Sequence, residues 1–137
     1  MPFPTKTHLQ FSASGPLPSI SFRIAGNQID PTTCVVGVSE GKVEPGEEAS
    51  VKYIELIPNA GLDSPKQIKG PSVQQVSDLD GRALKWIIGL TSFNQLDATF
   101  RMQVNCGQAV LPKVVDEPGQ LDHGVEIAHG YIFVAVV

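Results

Sequence analysis

Apolar and polar residues alternate with period two along much of the chain, the signature of strands with one buried face. His8–Ala13 sets Leu9, Phe11 and Ala13 against Gln10 and Ser12, and Ile20–Ala25 sets Ile20, Phe22 and Ile24 against Ser21 and Arg23. Leu84–Leu90 places Leu84, Trp86, Ile88 and Leu90 on one face. Ala98–Asn105 is the cleanest case, with Ala98, Phe100, Met102 and Val104 opposed to Thr99, Arg101, Gln103 and Asn105. Thr33–Val38 is apolar on both faces. Ala49–Ile57 changes parity between Tyr53 and Ile54, which predicts a bulge or a bend. Gln108–Val115 and Val125–Val137 complete the set, the latter with a candidate break at Gly130.

Turn dipeptides separate these runs: Gly15-Pro16, Asp30-Pro31, Pro45-Gly46, Ser64-Pro65, Gly70-Pro71 and Pro118-Gly119. The chain therefore reads as all-β, an antiparallel two-sheet β-sandwich of jelly-roll or Greek-key type with eight to nine strands. At most one short helix fits. It would lie over Ser72–Leu79, where Val73, Val76 and Leu79 recur every third residue behind Ser72 as N-cap. Residues 1–7 read as an extended arm and 8–137 as a single domain.

A length of 137 residues agrees with one domain able to bury its own core. Charged residues are 18% of the chain and the net charge is −4, so there is no general electrostatic reason to expect a nucleic-acid partner. No apolar run approaches the ~18 residues of a membrane helix, and the first residues lack the basic-then-apolar pattern of a secretory signal. The compartment stays open. Cys34 and Cys106 lie far apart in β-like segments and match no zinc or redox spacing. They are expected as two buried thiols rather than a bridge.

The motifs that resemble chemistry each have a plainer explanation. Gly37-Val38-Ser39-Glu40-Gly41 matches G-x-S-x-G, but Pro45-Gly46 follows where the nucleophile turn needs a helix, so a glycine-rich hairpin is expected. Asp78-Leu79-Asp80-Gly81 resembles the start of a calcium loop, yet the twelfth position is Gly89 rather than Glu, which leaves a turn into the next strand. Asp116, Glu117, Asp122, His123, Glu126 and His129 form the richest polar stretch. His123 and His129 on one strand would stand ~20 Å apart and could not chelate one ion together. A solvated loop is the expectation there. Lys66, Lys69, Arg82 and Lys85 could form a modest basic patch and are expected as a solvated rim.

Two features ask for more. The tail Tyr131–Val137 is apolar on both faces, so its second face must be covered by the 58–81 segment or by another subunit. The start, Met1-Pro2-Phe3-Pro4-Thr5, suits an arm that reaches onto a neighbour. The leading expectation is a non-catalytic structural or assembly protein, of the kind that decorates or cements a viral (phage) capsid, with the virion as a suitable location. Its partner would be itself, as a homo-oligomer such as a trimer, or a larger scaffold, with Phe3, Ile132, Val134 and Val136 as subunit contacts. The alternative is a carbohydrate-binding, lectin-like module whose ligand loop carries Phe93, Asn94, Gln95 and Asp97. Neither reading calls for a cofactor or a metal.

Overall fold

A computed structural model describes residues 5–26, 29–57, 64–92, 98–111, 114–121 and 125–137. Ten strands run through them: β1 (Thr5–Phe11), β2 (Ser19–Gly26), β3 (Ile29–Ser39), β4 (Tyr53–Ile57), β5 (Lys66–Gln67), β6 (Ala83–Ser92), β7 (Ala98–Asn105), β8 (Ala109–Leu111), β9 (Val114–Leu121) and β10 (Val125–Val136). They form two sheets, one of six strands in the order β4-β3-β6-β10-β1-β8 and one of four in the order β5-β2-β7-β9. The fold is all-β, as the alternation predicts.

The alternation also selects the core. Leu9 and Phe11 of β1, Val36 and Val38 of β3, and Leu84, Trp86, Ile88 and Leu90 of β6 are buried. They join Ile20 and Phe22 of β2 with Phe100, Met102 and Val104 of β7 in one cluster shared by both sheets. Phe22 and Trp86 meet across it with ring centroids 6.4 Å apart. Ile68, Val73, Val76 and Leu79 close one end of this core.

Several details differ from the sequence expectation. The strands are not all antiparallel, because β1 pairs with β10 in parallel from Thr5 opposite Gly130 to Phe11 opposite Val136. β1 begins at Thr5, so residues 5–7 belong to the sheet rather than to an arm, while Phe3 lies outside the described residues. The segment expected as one strand over Gln108–Val115 is divided between β8 in the larger sheet and β9 in the smaller. β9 continues through Pro118-Gly119, expected as a turn, and tolerates the proline because it is an edge strand. β3 likewise runs through Asp30-Pro31 and absorbs it with a register shift between Pro31 and Thr33. β10 is not broken at Gly130, which stands opposite Trp86, a residue without a side chain beside the bulkiest group of the core.

The helix expected over Ser72–Leu79 is a single 3₁₀ turn, Val76–Leu79. Its organiser is not Ser72 but Asp78, whose carboxylate accepts from the backbone N–H groups of Gln74 and Gln75 at 3.0 and 3.1 Å. Among the described residues no helix is long and apolar enough to cross a membrane.

Candidate functional site

The outer face of the six-stranded sheet carries the groups that the core does not use. Parity points Val35 and Gly37 of β3, Lys85 and Ile87 of β6, and His129, Tyr131 and Phe133 of β10 away from the shared core. In register, Gly37 lies opposite Lys85 and Lys85 opposite Tyr131. Tyr53 of β4 belongs to the same face, but β3 and β6 stand between it and β10. Its ring nevertheless reaches to 6.2 Å from that of Tyr131, centroid to centroid.

Gly37 makes this crossing feasible. A β-carbon there would stand 3.2 Å from Cβ of Tyr53 and 3.0 Å from the Ile54 carbonyl oxygen, closer than side chains normally pack. The bulge expected at Tyr53/Ile54 is displaced. These two residues pair regularly with Ser39 and Val38, Tyr53 facing the outer cluster and Ile54 the core. The irregularity comes further along, where Gly37 and Val36 stand opposite Glu55 and Ile57 and Leu56 is the extra residue on β4.

A strap, residues 40–52, folds over part of this face. The Glu40 N–H donates to the Lys52 carbonyl and the Val43 N–H to the Gly81 carbonyl, at 3.1 and 2.9 Å. Val43 packs on Ala83, Tyr131 and Phe133, which leaves Tyr131 only 5% and Phe133 8% exposed. The strap thus covers the first part of the tail's second face, at Tyr131 and Phe133, a cover that neither expectation named, while Ala135 and Val137 of the same parity stay exposed. Ile132 and Val134, expected as subunit contacts, are buried in the chain's own core and offer no surface to a neighbour. Val136 is half-buried against the same core.

Glu48 anchors the strap. Its side chain is almost wholly buried, accepts from the Gly46 N–H at 2.8 Å and pairs with Lys6 Nζ at 2.6 Å. The Tyr53 hydroxyl donates to the Glu48 carbonyl at 2.8 Å. Burial, followed by the neighbouring Tyr131 and Glu48, pushes the Tyr53 phenol up to about 12, so it remains protonated at neutral pH.

Beside the strap is an open hollow of about 320 Å³, lined by Val35, Gly37, Val51, Tyr53, Lys85 and Ile87. Lys85 Nζ sits 5.9 Å from the centroid of the Tyr53 ring and 5.8 Å from that of Tyr131, within cation–π range of both. His129 meets Tyr131 edge-on at 6.1 Å. The lining therefore combines an aliphatic floor, an aromatic wall and one ammonium, the composition of a small-ligand site.

The other sequence candidates fall elsewhere. Ser39 is fully buried, donates from Oγ to the Gly41 carbonyl at 2.6 Å and accepts from the Ala83 N–H at 3.0 Å. Its hydroxyl joins β3 to β6 and has no free path to a substrate. Asp78 organises the 3₁₀ turn, and Asp80 Oδ1 accepts from the Val136 N–H at 3.0 Å, so the calcium-like sequence is a turn into β6. Arg82 does not join a basic patch. It reaches the Ser39 carbonyl at 3.1 Å and Ser72 Oγ at 3.0 Å, tying the 64–81 segment to the end of β3. Among the described residues no three His, Cys, Asp or Glu side chains are grouped to hold a metal. His123 and the loop residues Phe93, Asn94, Gln95 and Asp97 lie outside the described residues.

The sequence contains no compact signal for the hollow, since its lining comes from three distant stretches. The nearest hints were the parity change at Tyr53 and the apolar outer face of the tail. Comparison of the chain with protein-family models, curated proteins and solved structures returns no match.

Proposed function

We propose that this protein is a non-catalytic carbohydrate-binding module whose site is the hollow bounded by Tyr53 and Lys85 on the outer face of the six-stranded sheet. The observation that carries this reading is the lining itself. A sugar ring has apolar C–H faces and a polar rim. The C–H faces match Val35, Ile87 and the Tyr53 ring, and the rim hydroxyls match the donors of Lys85. The volume, about 320 Å³, lies at the lower end of the range for small-ligand pockets. In this reading the two sheets form a β-sandwich that presents one outer face to ligand. The core shared by their inner faces supports that, while the parallel β1–β10 pair sets the topology apart from an all-antiparallel jelly roll or Greek key.

A glycan array probed with the labelled protein tests the proposal. Retention on a defined set of saccharides is expected, with loss in Ile87→Glu, which fills the hollow from the outer face and can pair with Lys85 without touching the core. An array on which the folded protein retains nothing overturns it.

The assembly reading rests on a separate observation. Val110 of β8 and Val137 are 41% and 64% exposed, beside a three-residue edge strand. An apolar rim of that kind suits contact with a second copy or a larger scaffold. Light scattering at micromolar concentration decides the self-contact: a mass above 14.7 kDa that falls in Val110→Lys supports it, and a monomer excludes it.

A further inference from the structure

Resting on the carbohydrate reading, we infer that the saccharide is acidic, a uronic-acid-containing chain whose carboxylate seats on Lys85 while its ring lies over Val35 and Ile87. Three observations lead there. Among the described residues that line the hollow, Lys85 alone carries a charge. The described ion pairs join Lys6 to Glu48 and Lys52 to Glu40, and Lys85 belongs to neither. Glu48, whose backbone carbonyl accepts from the Tyr53 hydroxyl, has its carboxylate already engaged by Lys6 and the Gly46 N–H beneath the strap.

The ammonium is also biased toward one position. A lysine on a sheet surface ordinarily moves among many rotamers, and ordering it on binding costs free energy. Here two tyrosine rings approach Nζ at 5.9 and 5.8 Å, which favours one placement of the cation and lowers that cost. Ring faces engage an ammonium electrostatically but offer no lone pair in the plane where a carboxylate would bind. A charge-assisted bond to an ionised oxygen is roughly twice as strong as one to a neutral hydroxyl. The pocket should therefore separate a uronate from its methyl ester, which has the same ring and no charge.

Titration calorimetry with oligogalacturonate and with its methyl ester makes the test, on wild type and on Lys85→Met, which keeps the aliphatic stem. The acid is expected to bind at least about tenfold more tightly than the ester, with the preference shrinking in 0.5 M salt and vanishing in Lys85→Met. Tyr53→Phe, which keeps the ring, is expected to retain the preference. Equal affinity for acid and ester, or a preference that persists in Lys85→Met, overturns the acidic assignment and leaves carbohydrate binding standing. Binding of neither oligosaccharide, together with a blank glycan array, removes both.

Discussion

Lys6 on the first strand and Glu48 in the strap form an ion pair of 2.6 Å in which the ammonium is half-exposed and the carboxylate is almost wholly enclosed. The pair fixes the strap over Tyr131 and Phe133. Removing Lys6 leaves a buried carboxylate with backbone N–H groups alone to satisfy it. Lys6→Ala is expected to lower stability by about 1–2 kcal/mol, more than a surface pair and less than a fully buried one. A denaturant melt measures this, and trypsin should cut faster at Lys42 and Lys52 as the strap loosens.

The same pair sets a pH dependence. The hydrogen bond from Lys6, then the backbone N–H groups of Glu48 and Gly46, hold the Glu48 carboxyl below its ordinary value of 4.5. A carboxylate favoured in the folded state contributes stability that is present above the unfolded value and is lost as pH falls through the folded one. The denaturation midpoint should drop on acidification below pH 4.5, and the drop should be smaller in Glu48→Gln. Equal acid sensitivity in both proteins would show that other carboxylates dominate.

Ser39→Ala separates a structural hydroxyl from a reactive one. The substitution leaves the buried Ala83 N–H without its acceptor, while the Gly41 carbonyl, on an exposed residue, can turn to water, at a cost of about 1–3 kcal/mol. Saccharide affinity should be unchanged in the folded variant, since the hydroxyl does not line the hollow. A large loss of affinity without loss of stability would contradict this placement.

Gly37→Ala should disturb the hollow from below. The added methyl group meets the Ile54 carbonyl at 3.0 Å and Tyr53 Cβ at 3.2 Å, so β4 or the ring must shift. Overpacking of this kind costs about 1–3 kcal/mol. Thermal denaturation gives the stability change, and a weakened saccharide affinity reports displacement of Tyr53.

The two thiols should be silent until the protein opens. Burial raises Cys34 to about 11 and Cys106 to about 12, so almost no thiolate exists at pH 8. A disulfide reagent is expected to react at the rate of unfolding, with both thiols appearing together. Because these values lie above the ordinary 9.0, stability should decline as pH rises past 9, where the unfolded chain ionises first.

Strands β1, β2 and β7 were legible because each alternates one apolar face with one polar face. Ala98–Asn105 is bounded at the same residues by its alternation and by the structure. The pattern failed where a residue's neighbours are remote. Nothing in Gln108–Val115 signals that Ala109–Leu111 pairs with β1 while Val114 onward pairs with β7. Pro118 reads as a turn until its strand is known to be an edge. The strap reads as a polar loop, since Val43 among glutamates and a lysine gives no hint that it seals an aromatic pair. Tyr53, Lys85 and Tyr131 converge only once β4, β6 and β10 are ordered, and strand order is a long-range property that local periodicity does not encode.

The place of β10 between β6 and β1 has a consequence for biosynthesis. Residues 125–136 are translated after the other nine described strands, yet they occupy the middle of the larger sheet and bond to β1 at residues 5–11, far earlier in the chain. Until they are made, β1 and β6 each lack the partner they have in the sheet on that side, with apolar residues beside the open edge. The nascent protein must therefore wait with that seam open, and a chaperone that shields extended segments would raise the yield of soluble product.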